Sequence, residues 1–354
     1  MKIAVIGCGK IANAVHLAPL SAMPDLEIKY VVDLIEERAG AAQKQYGAGQ
    51  AVRDYRIVLN DREIDAVFVL TPNYSHYTIT MDALRAGKHV FCEKPITNNY
   101  ALSKEMADEA RKRNLILNIG VCNRYHKSVE LIKEYVEKGR LGELYHIYCS
   151  FRSFRSIPGL GGAFTSREKS GGGVLIDWGI HFLDLILYIT GVRIQTVSAN
   201  AYNKLGRDIP AYVYKDMWAG PPVLDGVCDV DDMVSGFIRT SGASISFNGA
   251  WAQNIDHDEM FIDFMGDKGG VRFIYGEGFT FYTAEDGILQ SVKPDYKIPN
   301  MYEREDLRFI EAIRKGLKTR SHIDAVLESA RLLDAIYESA DKGAEVRISQ
   351  GSAI

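Results

Sequence analysis

Asp177, His181 and Asp184 stand at i, i+4 and i+7 of the apolar stretch Val174–Thr190, so any helix formed there carries them on one face. Around them Leu175, Ile176, Phe182, Leu183, Leu185, Ile186 and Leu187 are apolar. A polar stripe on such a helix must face a cavity or find partners, because an unpaired buried charge is costly. His181 changes charge near neutral pH, which suits proton transfer to or from an alcohol. Asp177 can orient it or hold a substrate, and Asp184 reads as a structural partner for backbone or an arginine. Lys94, in Glu93-Lys94-Pro95, follows an apolar run and offers an ammonium that can hold a hydroxyl and lose pKa near other groups. Pro95 fixes that turn, a cis bond being one way to do so. Each of these has a plainer reading: a lone loop lysine is usually a surface residue, and Gly171-Gly172-Gly173 is either room for a ligand or a flexible loop. A metal is not expected, since there is no H-E-x-x-H and no cysteine or second histidine at ligand spacing.

Gly7-Cys8-Gly9-Lys10-Ile11-Ala12 lies between an apolar run and a helical pattern, the context a dinucleotide fingerprint requires. Gly7 permits the tight turn, Gly9 lets backbone approach a pyrophosphate, and Ala12 replaces the third glycine while still allowing close helix–strand packing. Lys10 and Ile11 sit in the loop, at a helix N-terminus with free N–H donors. The same triplet also occurs in ordinary strand–helix turns. Asp33, ending the second run, separates the two readings: a carboxylate there accepts from both adenosine ribose hydroxyls and repels a 2′-phosphate. Leu34 follows, where an Arg or Ser would favour a phosphate, so NAD is expected over NADP; Arg38, a turn further on, leaves some NADP binding open. Thr71-Pro72-Asn73 ends another run; with the strand stopped by Pro72, Thr71 and Asn73 are free to contact phosphate or ribose, or form a simple turn. Lys94 ends the next strand on that edge and would point toward a nicotinamide.

The elements that must hold these residues follow from the apolar pattern. Ile3–Ile6, Ile28–Val32, Ala66–Leu70, His89–Cys92 and Ile116–Val121 are continuous apolar runs, separated by amphipathic Glu36–Tyr46, Tyr77–Ala86 and Ala101–Arg113. Such alternation predicts a doubly wound parallel sheet covered on both faces. After the helix Ser128–Lys138, period-two segments take over: Tyr145–Phe151, Thr196–Tyr202, Met233–Arg239, Ala243–Ala250, Phe261–Met265 and Val271–Tyr275. They predict an α+β domain on a large, mostly antiparallel open sheet. Lys204–Asp232, with Pro210, Pro221 and Pro222, reads as a long excursion, and helices Glu303–Lys315 and Asp324–Lys342 close the chain. The expected division is 1–123 and 124–354, with the C-terminal helices candidates to pack back on the first domain.

The 354 residues carry a net charge of -4 and no dense basic block, which argues against nucleic acid. The apolar stretch Val174–Ile189 is broken by Asp177, His181 and Asp184, so a membrane span is not expected. Five cysteines without a C-x-x-C pair fit a reducing compartment, and the N-terminal apolar run reads as a buried first strand of a cytoplasmic protein.

Taken in order along the chain, these motifs resemble the Gfo/Idh/MocA oxidoreductases, which include inositol dehydrogenases and glucose–fructose oxidoreductases. The resemblance covers nearly the whole chain. It rests on the glycine loop, Thr71-Pro72-Asn73 with His76, Glu93-Lys94-Pro95, the run from Gly171 through Asp177, Gly179, His181 and Asp184, and the closing Asp334-Ala335-Ile336-Tyr337-Glu338-Ser339-Ala340. It implies a Rossmann domain, with His76 and Glu93 on the cofactor side, and a second domain whose open sheet mediates homo-oligomers, dimers or tetramers. The family's catalytic lysine would fall on Lys94, and its Asp and His on Asp177 and His181. Asn123 and Arg124 match a segment lining the substrate pocket. The stretch from Arg155 to Asp232, with Trp178 and Met217-Trp218-Ala219-Gly220-Pro221, looks most like a bacterial branch acting on sugars and glycosides, some at the glucosyl 3-hydroxyl. The implied reaction is NAD-dependent oxidation of a secondary alcohol on a sugar, cyclitol or glycoside, in which His181 takes the proton, Lys94 stabilises the alkoxide and Asp177 positions both. Alternatives are an NAD-dependent glycoside-cleaving enzyme of the same architecture, an enzyme that retains NAD and passes hydride between two sugars, and a non-catalytic NAD-binding sensor.

Overall fold

The computed structural model describes residues 1–348. The chain divides into two compact units, Met1–Tyr125 with Pro299–Leu327, and His126–Ile298 with residues 328–348. The first unit therefore takes in a piece from beyond the 123/124 division read from the sequence.

In the first unit the apolar runs become strands β1 (Lys2–Ile6), β2 (Glu27–Val32), β3 (Gln50–Val52), β4 (Ala66–Val69), β5 (His89–Glu93) and β6 (Leu117–Gly120). They lie in the order β3-β2-β1-β4-β5-β6, every pair parallel. β4 is buried throughout, as is β1 beyond Lys2; strands buried on both faces have no polar side to alternate with, hence their continuous apolar sequences. β3 has three residues and an exposed Gln50, too little pattern to read in advance. The strand order reverses between β1 and β4, where an open α/β sheet leaves a crevice past its carboxyl edge. The helix Met301–Lys315 seats Phe309 and Ile310 in this unit's core, Phe309 meeting Phe68 at 5.4 Å and Phe91 at 5.7 Å between ring centroids.

Among the described residues the second unit is built on nine strands: β7 (Leu144–Arg152), β8 (Ile194–Tyr202), β9 (Met233–Thr240), β10 (Ser244–Ala250), β11 (Glu259–Gly266), β12 (Gly269–Ile274), β13 (Phe279–Glu285), β14 (Ile288–Val292) and β15 (Val346–Arg347). Their order is β14-β13-β12-β11-β7-β10-β9-β8-β15, antiparallel except for β7 beside β10. β13, β14 and β15 go beyond the strands expected from the sequence; β14 is an exposed edge and β15 only two residues long, so neither shows a clear alternation. The apolar stretch from residue 174 packs on this sheet: Phe182 stacks on Phe151 at 5.0 Å and on Tyr275 at 4.7 Å. By length and mean hydropathy the helical segment Arg167–Thr190 would pass as a membrane span, but 78% of its apolar window is buried inside the protein. All five cysteines are free thiols, Cys228 half-buried and the rest buried.

Candidate active site

The carboxyl ends of β1, β2, β4 and β5 deliver the glycine loop, Asp33, Thr71 and Lys94 to one edge of one sheet. Gly7 adopts a φ of +99°, and a Cβ there would come within 2.5 Å of the Leu70 carbonyl, so the turn out of β1 admits only glycine. A Cβ on Gly9 meets no protein atom within 4 Å; the space beside its backbone is open to a ligand. The Asn13 side chain donates to the carbonyls of Cys8 (2.8 Å) and Gly9 (2.9 Å), which fixes the shape of the loop. Asp33 accepts from Cys8 N–H and Ile35 N–H, each at 2.9 Å, one per carboxylate oxygen. These features fit a dinucleotide, with Gly9 and the helix start at its pyrophosphate and Asp33 at its ribose. Lys10 is exposed where the helix begins, Ile11 is half-buried, Ala12 is buried, and Arg38 is exposed on the helix after Asp33.

Thr71, Pro72 and Asn73 form the turn after β4, and Ser75 Oγ donates to Thr71 Oγ1 at 2.7 Å. His76 is fully buried, with Nδ1 2.8 Å from the Pro95 carbonyl and Nε2 2.8 Å from the Thr71 carbonyl. Both ring nitrogens are thus taken by protein: His76 pins the Thr71 turn to the Lys94-Pro95 turn from behind, which corrects the expectation of a direct cofactor contact. From Val90 to Thr97 only Lys94 is not buried. Its backbone N–H donates to Glu93 Oε2 at 3.1 Å, and the Lys94–Pro95 peptide is cis. Asn123 and Arg124 are buried in the first unit; Arg124 donates to the carbonyls of Arg320 (2.6 Å) and Ala325 (2.9 Å), so its guanidinium holds backbone rather than standing open to a substrate.

In the second unit the helix expected over Val174–Thr190 opens with a wide π turn, Leu175–Gly179, and continues as an α-helix over Ile180–Thr190. Between Gly172 and Leu187 only Asp177, Trp178 and His181 are not buried. His181 lies beside the Tyr275 ring, 6.2 Å between centroids. Asp184 is 1% exposed and accepts from Ser329 Oγ at 2.6 Å, a buried partner as expected but a serine hydroxyl where backbone or an arginine was foreseen. Arg155, also in this unit, donates to Asn254 Oδ1 at 2.7–3.0 Å, with its guanidinium 5.8 Å from the Tyr212 ring.

Three groups escaped the sequence reading. Asn13 and His16 follow the glycine loop within one helical stretch, and Asp231 caps the start of the segment carrying Asp177. Glu305 and Asp306 are buried on the face of Met301–Lys315 that also buries Phe309 and Ile310. Two acids one helical turn before two buried apolar residues were a signal available in the sequence.

Residues 1–121 match a family model described as "Oxidoreductase family, NAD-binding Rossmann fold", and residues 129–272 one described as "GFO/IDH/MocA C-terminal domain". The chain is 30% identical to the D-glucoside 3-dehydrogenase of Escherichia coli K12, covering 98% of this chain and 97% of that relative. It is 25% identical to the scyllo-inositol 2-dehydrogenase (NAD(+)) of Bacillus subtilis 168, covering 89% and 87%. Levoglucosan dehydrogenase, solved with NADH and levoglucosan, has the same fold: its TM-score is 0.87 at 23% identity, over 99% of this chain and all of that one.

Proposed function

The chain belongs to the GFO/IDH/MocA oxidoreductases and is an NAD(P)-dependent dehydrogenase, and we propose that it oxidises a secondary hydroxyl of a sugar, cyclitol or glycoside, foremost the glucosyl 3-hydroxyl of a glucoside. The observation that carries this reading is the convergence of four strand ends: Asp33, the glycine loop, the Thr71 turn and Lys94 share one carboxyl edge, and Lys94 is the one residue of its run left uncovered. The likeness to D-glucoside 3-dehydrogenase over almost the full length favours a glucoside.

Bound nicotinamide supplies the hydride acceptor at C4, so the alcohol leaves as a ketone with one NADH and one proton formed. Asp33 and the loop amides hold the dinucleotide. Lys94 stabilises the developing alkoxide with its ammonium. His181 accepts the hydroxyl proton, and Asp177, one turn earlier, orients substrate and imidazole. Reduction of a ketone uses the same groups in reverse.

Lys94→Ala and His181→Ala should each lower turnover about 10²- to 10⁴-fold. NADH affinity, read by fluorescence titration, should stay within about threefold of the native value. NADH formation across a panel of methyl glucosides, inositols and free hexoses is the assay. Full turnover in both variants would sink the assignment, and glycoside cleavage without net NADH would point to the glycoside-cleaving alternative.

A further inference from the structure

We propose that His16 is a positioning residue for Lys94: from the helix that leaves the glycine loop it grips Glu93, the residue before the lysine, so that cofactor seat and lysine turn move as one. This rests on the reading of Lys94 given above.

The helix after the loop contains a π turn, Ala12–His16, closed by a hydrogen bond from Leu17 N–H back to the Ala12 carbonyl. Such a turn holds one residue more than an α turn, recurs at functional sites, and changes which side chain faces inward. Here Asn13 and Ala14 are exposed and His16 is fully buried. The imidazole lies among the rings of Phe91 (5.4 Å), Tyr302 (6.0 Å) and Phe68 (6.4 Å). Its Nδ1 is 2.9 and 3.1 Å from the two oxygens of Asp306, and its Nε2 is 3.2 Å from Glu93 Oε1. Glu93 Oε2 in turn accepts the Lys94 N–H. One line of hydrogen bonds therefore runs from Asp306 through the first helix to the backbone of Lys94. β6 makes room for it: a Cβ on Gly120 would come within 2.5 Å of Glu93 Oε1.

A carboxyl group faces each ring nitrogen, an arrangement that favours hydrogen on both. Burial alone would lower the pKa of His16, but Asp306 and Glu93 outweigh it and push it up to about 10. Glu305 is also fully buried, and among the described residues neither of its oxygens has a hydrogen-bond partner. Burial, with Glu93 and Asp306 nearby, raises its pKa well above the usual range. Desolvating this many ionisable groups is expensive, and a buried ion cluster of this kind is weak support for stability compared with apolar packing. It ties together two segments that have no other reason to share charged partners, the cofactor helix and the residue before Lys94, and it does so at the ligand-binding edge.

The test is hydrogen–deuterium exchange of the full-length protein with and without NAD, in the native chain, Asp306→Asn and His16→Gln. In the native chain NAD should slow exchange at residues 7–12 and at 92–98 together, by about tenfold. In Asp306→Asn, which keeps an acceptor for His16 but removes the charge that holds it, residues 7–12 should stay protected while the NAD-linked protection at 92–98 falls below about twofold. His16→Gln should do the same; if it fails to fold, Asp306→Asn decides. Protection at 92–98 that survives in the folded variants, that is lost equally at both segments, or that is missing from the native chain overturns the proposal. Lys94→Ala separates it from the catalytic reading, because that variant should keep the coupled protection while losing turnover; full turnover there would sink the role of Lys94 and leave the coupling standing.

Discussion

Asp33 is held in place before any ligand arrives. Each carboxylate oxygen already accepts one backbone N–H at 2.9 Å, which orients the group and leaves a lone pair on each oxygen for a ribose hydroxyl. Hydrogen bonds to a charged group are worth about 1.5–3 kcal/mol each, so Asp33→Ala, which removes two, should weaken NADH binding about 10²- to 10⁴-fold. It should also narrow the preference over NADPH, because the charge that repels a 2′-phosphate is gone; parallel NADH and NADPH titrations measure both, and an unchanged ratio would remove Asp33 from the choice of cofactor. His76 makes a second prediction at this scale. Burial disfavours its charged form, but Cys92 and the carbonyls of Pro95 and Thr71 outweigh burial and lift its pKa to about 9 from the usual 6.5. A raised pKa in the fold means this stabilisation is complete below pH 6.5 and is lost as the pH climbs through 9. His76→Gln donates in one direction only, so between about pH 6 and pH 9.5 its urea midpoint should fall less than that of the native chain. Equal falls would show that His76 does not titrate in that window.

The segment that carries Asp177 and His181 is started by a residue far away in the chain. Asp231, at the end of the Lys204–Asp232 excursion, accepts from Gly173 N–H (2.8 Å) and Leu175 N–H (3.0 Å), and Tyr337 Oη donates to it at 2.7 Å. Its carbonyl accepts Val174 N–H at 3.0 Å, and a Cβ on Gly173 would overlap that carbonyl. The triple glycine is thus neither spare room nor a loose loop at its third position; it is where two backbones meet. Asp231→Ala removes a cap and strands a buried hydroxyl, which should cost about 2–4 kcal/mol in urea unfolding. Gly173→Ala should cost about 1–3 kcal/mol by overpacking. A loss under about 0.5 kcal/mol in either would show that the helix start does not depend on this contact. Both π turns, Ala12–His16 and Leu175–Gly179, hold or adjoin residues proposed for the site, and neither shows in an apolar pattern that fits an ordinary helix.

The first unit is assembled from two stretches of chain, 1–125 and 299–327. Phe309 and Ile310 are 0% and 1% exposed, and Asp306 is the anchor of His16, so a chain ending at residue 125 would leave both a core and a charged cluster open. Residues 1–125 alone should lack the far-ultraviolet and NADH-binding signatures of a folded unit, while 1–125 joined by a short flexible linker to 299–327 should recover both. Cooperative folding of 1–125 by itself would show that the returning helix is dispensable.

The sequence by itself determined what depends on neighbours along the chain. Continuous apolar runs with helices between them specify strands buried on both faces; Gly7, Gly9 and Ala12 specify a turn that backbone and ligand can approach; Asp33 ends the strand beside it; Glu93-Lys94-Pro95 ends another. These are local patterns, and they brought the parallel sheet, the cofactor edge and Lys94 within reach of reading. Tertiary structure alone decided which polar groups are satisfied and by whom. His16 and Asp306 stand 290 residues apart, Leu175 and Asp231 56 apart, yet each pair meets at hydrogen-bond distance in a site closed to water. Whether a buried histidine is a cation, or a glycine is obligatory, depends on the atoms packed against it, and spacing along the chain carries no information about those.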